Sequence, residues 1–115
     1  MREIRKRKVE SLLHETIGTI LVSGELKDPR LAQLVTVTGV KVNKDLKAAH
    51  VHISVLGSEK TRQKAVVALN HAAGFIQKLL GPRLKLRYTP RLEFVYDDSL
   101  EKGFGMGQTL RDIAT

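Results

Sequence analysis

The residue types that could do chemistry in this chain are its cations. Arg2, Arg5, Lys6, Arg7 and Lys8 crowd into the first eight residues. Clustered cations at a helix start oppose the positive end of its macrodipole and cost a little stability. Phosphate contacts give such a cluster a purpose, because each neutralised phosphate releases counterions. A second group, Lys78, Arg83, Lys85, Arg87 and Arg91, spreads from a helical segment into the last strand. If these fall on one edge, they extend the same surface. Arg87 and Arg91 are its stronger members, since a guanidinium grips phosphate with two parallel hydrogen bonds. Lys27, Arg30, Lys41, Lys44 and Lys47 lie around a turn and a hairpin and rank below both groups.

Other chemistries have weaker foundations. His50 and His52 project from one face of a strand, a spacing that suits a metal, but a zinc site needs a third convergent ligand. His14 and His71 fall on helical segments elsewhere and Cys is absent, so no metal site is expected. Asp97, Asp98 and Glu101 could hold Mg²⁺ for a nuclease, or cap the helix that follows. Asp28 and Pro29 read as turn geometry, and Gly74 as a place for a kink or close helix packing. Of five aromatics, Phe75 and Phe94 fall on apolar stripes and are expected in the core. That leaves no stacking platform of exposed rings among cations, which favours structured RNA recognised by shape and phosphate.

The balance of 20 Lys and Arg against 12 Asp and Glu over 115 residues, +8 with His neutral, points the whole chain toward a polyanion. Length fits one domain, and a core of that size needs no staples. With no Cys, disulfide frameworks and thiolate chemistry are excluded. The longest uncharged run, Ala65 to Gln77, is too short to span a bilayer and contains Asn70, His71 and Gln77. The basic N-terminus lacks an apolar signal core. A soluble cytoplasmic protein without a cofactor is expected.

Periodicity supplies the elements that must position these residues. Val9, Leu12, Leu13, Ile17, Ile20 and Leu21 form a helical stripe over 2–23, ended by Gly24. Val35 and Val37 share one parity and Val40 and Val42 the other, which predicts a β-bulge at Gly39. Ala49, Val51, Ile53 and Val55 alternate after the turn residues Asn43-Lys44-Asp45, completing an antiparallel hairpin. Ser58 is placed to cap a second helix bearing Ala65, Val66, Leu69, Ala72 and Ala73. The pattern runs through Gly74 with a kink into a third helix carrying Phe75, Ile76, Leu79 and Leu80. Gly81-Pro82 is expected to end or bend that helix. Leu92, Phe94 and Tyr96 alternate in a last strand, and a frayed helix is expected over 103–115. The class is α+β, a three-stranded sheet with helices on the valine face.

This order is the one used by bacterial type II K-homology domains. The local strings narrow it: Glu25-Leu26-Lys27-Asp28-Pro29-Arg30, Val35-Thr36-Val37-Thr38, Asp45-Leu46, Ser54-Val55, Ala72-Ala73-Gly74-Phe75-Ile76 and Leu86-Arg87. Pro90, Leu92, Phe94 and Asp97-Asp98-Ser99 with Glu101 and Gly103 complete them. In this order, over nearly the whole chain, they resemble the ribosome-binding factor A family. The resemblance implies one K-homology-like domain over 1–115, with the usual Gly-x-x-Gly replaced by the Ala72-x-Gly74 kink, so that RNA is not held in the usual single-strand groove. It further implies a non-enzymatic role: binding the free small (30S) subunit and assisting late 16S rRNA processing. Release by a GTPase assembly factor, a monomeric state and greatest importance in the cold are implied with it. The chain departs from the family pattern at Gly81-Pro82 and in the glycine-rich Gly103 to Gly107 stretch. A general structured-RNA-binding module and a metal-dependent nuclease are the alternatives.

Overall fold

The first helix owes its position to four side chains at intervals of four, four and three. Val9, Leu13, Ile17 and Ile20 are buried on one face of α1 (Arg2–Val22), which lies across the first strand. Leu12, on the expected stripe, is instead 37% exposed. It neighbours Leu13, and residues 100° apart on a helix cannot both face the centre of the core. The Ser23 hydroxyl donates to Ile20 O at 2.9 Å and helps satisfy the carbonyls at the helix end. The computed structural model describes residues 2–23, 26, 35–86 and 88–98, with residues 2 and 3 by backbone only. The Asp28-Pro29 turn, Arg87 and the expected C-terminal helix lie outside the described residues.

Strands β1 (Val35–Val42) and β2 (Ala48–Val55) pair antiparallel, and the register shifts between Val37 and Gly39. The expected bulge is therefore present, and it keeps Val37, Val40 and Val42 all on the buried face. Asn43 closes the hairpin: its Oδ1 accepts from the Lys47 and Ala48 N–H groups at 3.0 and 3.1 Å. Leu46 takes a left-handed conformation (φ 62°) in this loop and packs partly buried against the core.

Ser58 caps α2 (Glu59–His71), accepting from Thr61 N at 3.2 Å. Only Ala72 separates α2 from α3 (Ala73–Leu84). The third helix does not end at Gly81-Pro82 but continues to Leu84, with Lys85 left-handed (φ 52°) at its C-cap. Pro82 removes one hydrogen bond in the last turn. Burial of Leu80 and Leu84 on the same helix outweighs that loss. A second correction concerns Phe75, expected in the core but 49% exposed; Ile76 and Leu80 take the buried positions.

The last strand, β3 (Arg91–Tyr96), pairs parallel with β2, giving sheet order β1-β2-β3. Among the described residues its outer edge is closed by side chains. The Asn70 amide donates to Phe94 O at 3.0 Å and accepts from Phe94 N at 2.8 Å. Gln77 Oε1 accepts from Leu92 N at 3.2 Å. Asn70→Ala removes a paired donor and acceptor, and is expected to cost about 1–3 kcal/mol. Asn70→Asp, which keeps only the acceptor and aims a charge at the Phe94 carbonyl, should recover little of it. Urea denaturation of both variants checks this; an unchanged midpoint would mean that the amide contributes nothing to holding the strand.

Candidate nucleic-acid interface

The backbone brings three basic segments to one end of the sheet. Glu10 Oε2 accepts from Val42 N at 2.9 Å, which pins the N-terminal half of α1 beside the end of β1. Arg5, Arg7 and Lys8 are exposed there, Lys6 is half-buried, and the Arg2 side chain lies outside the described residues. The adjoining hairpin loop carries exposed Lys44 and Lys47, and Lys41 is exposed on β1. Arg91 N donates to Lys47 O at 2.8 Å, so β3 begins beside the same loop. The short connection 85–90 leads there from the end of α3, where Arg83 and Lys85 are exposed. Lys78 stands apart, exposed farther up α3.

The lysines at 41, 44 and 47, ranked low from sequence, thus occupy the middle of the basic end. The signal that would have raised them is the parallel pairing of β3 with β2, which sets Arg91 opposite Ala48. Strand periodicity does not encode that pairing. Two carboxylates at this end hold the backbone: Glu10 accepts from Val42 N, and Asp45 Oδ1 accepts from Lys47 N at 3.0 Å. The exposed cations there outnumber these two carboxylates, an arrangement that suits phosphates.

The residues of the competing chemistries fall in two places. His50 Nε2 lies 3.4 Å from Glu93 Oε2 on the open face of the sheet. His52 and Asp97 instead line a groove of about 560 Å³ between α1 and the bulge, together with Arg7, Glu10 and His14. Asp97 is tied into the sheet. Its carboxylate accepts a short hydrogen bond from the Thr38 hydroxyl, and its N–H donates to Ile53 O at 2.7 Å. Among the described residues no three His, Asp or Glu side chains form a group that could hold a metal ion. Asp98 is half-buried beside Asp97, and Glu101 lies outside the described residues.

Comparison with known proteins agrees with this arrangement of elements. The profile of the family described as ribosome-binding factor A matches residues 5–110. A ribosome-binding factor A from Geobacter metallireducens is 40% identical over 111 residues, 96% of this chain and 92% of that one. The crystal structure of ribosome-binding factor A from Thermus thermophilus superposes with a TM-score of 0.68 at 31% identity, covering 79% of this chain and 94% of that one. Coordinates of the Thermus thermophilus factor fitted into a cryo-electron-microscopy map of its 30S complex give a TM-score of 0.57 at 30% identity, covering 76% and 93%. Sequence and fold therefore agree from α1 through β3, and the chain belongs to the ribosome-binding factor A family.

Proposed function

We propose that this protein binds the free small ribosomal subunit through phosphates of its 16S rRNA and assists the late maturation of that RNA, without catalysing a reaction itself. The observation that carries the reading is the 30S complex of the Thermus thermophilus relative, whose fold covers 76% of this chain. The basic end supplies a matching physical basis: exposed cations of α1, the hairpin loop and the start of β3 lie toward one end of the sheet. On this reading the protein acts in the cytoplasm as a monomer. A GTPase assembly factor releases it, and its contribution is greatest in the cold, when mispaired rRNA helices resolve slowly.

Depleting the protein from its own cells tests the maturation step. Unprocessed 16S rRNA and free small subunits are expected to accumulate, more strongly at low temperature; normal processing at every temperature would contradict the role. Purified protein is expected to leave labelled RNA intact with Mg²⁺ or Mn²⁺. Cleavage that disappears on Asp97→Ala would make the protein a nuclease instead.

A further inference from the structure

The hydrogen bonds at the end of β1 show which of its main-chain groups point away from the sheet. Asn43 N donates to Ala48 O at 3.0 Å, toward β2, whereas Val42 N donates to Glu10 Oε2 at 2.9 Å, away from it. Main-chain groups in an antiparallel pair alternate between the two edges, so Lys41 turns to β2 and Val40 turns outward. Among the described residues the sheet order is β1-β2-β3, and no strand pairs with that outer edge. The Val40 N–H and C=O thereby face the groove of about 560 Å³ that α1 leaves beside the bulge. Gly39 forms part of its wall, has no positive φ, and a Cβ on it would meet nothing within 4 Å.

Main-chain donors and acceptors at strand spacing are complementary to another extended main chain. Glu10 already meets one edge donor with a carboxylate oxygen, as an added strand would with a carbonyl. Charge narrows the partner further. Arg7 and Lys41, both exposed, line the groove near the hairpin end of β1. The one carboxylate beside them is that of Glu10, which is turned to Val42 N. Asp97 lies farther along, bonded to the Thr38 hydroxyl. An acidic side chain on an incoming segment therefore belongs at the hairpin end.

We propose that this edge takes an extended acidic peptide of a protein partner as an added strand. Its main chain pairs with Val40, and its carboxylate is met by Arg7 and Lys41. The proposal does not rest on binding to rRNA; it assigns the protein a peptide-binding surface beside its basic end.

Octapeptides selected from a random phage-displayed library against the protein, then synthesised with capped ends, test it. They are expected to carry an acidic residue and to shift the Val40 amide resonance saturably. Methylating every second peptide nitrogen should abolish binding in one of the two phases and spare it in the other, because only one edge of the peptide pairs. Gly39→Leu fills the groove from a position that the fold leaves open, and should abolish binding while circular dichroism shows an intact fold. Arg7→Gln and Lys41→Gln should each weaken binding by up to about 5-fold. The methylation pattern tests the pairing without altering the protein, should Gly39→Leu unfold.

A library that yields no binder, or peptides that tolerate methylation in both phases, would overturn the proposal. So would peptides that bind a folded Gly39→Leu variant as well as wild type. A Val40 amide already protected from hydrogen exchange in the protein alone would mean that the chain covers its own edge. A dimer in sedimentation that Gly39→Leu dissociates would give the edge to a second copy instead. Displacement of the peptide by octa-riboadenylate, itself excluded by Gly39→Leu, would give the groove to RNA; either result contradicts a peptide partner.

Discussion

Phe94→Ala is expected to destabilise the fold by about 3–5 kcal/mol, the range for emptying a buried aromatic site. Among the described residues Phe94 is the largest fully buried side chain, and it sits on β3, the strand that both α2 and α3 pack against. Its backbone is also the point where Asn70 holds the strand edge through two hydrogen bonds. Loss of the ring therefore leaves a cavity where helix and sheet layers meet. Against a typical total stability of about 5–15 kcal/mol, this takes a third or more of what holds the fold together. Urea denaturation should show a much lower midpoint with little change in slope. A loss under about 1 kcal/mol would mean that the helices are not packed on β3 as described.

The order of the elements was legible because each buried face leaves a distinct period in the sequence. The valine phase change at Gly39 is the clearest case, since only an inserted residue keeps Val37 and Val40 on one side. Adjacent apolar pairs were harder to read. At Leu12-Leu13 and at Phe75-Ile76 both residues suit a core, yet helix geometry gives the central place to one. Composition does not say which. Pro82 failed for a different reason: a local rule about missing hydrogen bonds was outweighed by burial of Leu84 in the same turn. The basic end was only half visible. Its α1 cluster is contiguous in sequence, but Lys47 and Arg91 meet through a parallel strand pairing between residues far apart in the chain.

The second large effect concerns α1. Arg5, Arg7 and Lys8 are exposed on its first turns; on the proposed binding to rRNA, changing all three to Gln is expected to remove up to three phosphate partners. Every phosphate no longer neutralised should lower the slope of log affinity against log salt by about 0.7–0.9. For three phosphates this amounts to about 100-fold or more in affinity at about 0.1 M monovalent salt. Stability should move the other way, if at all, because these cations sit at the positive end of the helix dipole. Weaker binding by a protein at least as stable as wild type separates a weakened RNA surface from a damaged fold.

Co-sedimentation with purified free small subunits, assembled ribosomes and bulk RNA, at two salt concentrations, tests the central claim most directly. Wild-type protein should sediment selectively with free small subunits and remain bound at the higher salt, and the Arg5, Arg7, Lys8→Gln variant should not. Equal binding to every RNA, lost as salt rises and indifferent to the three substitutions, would contradict the account.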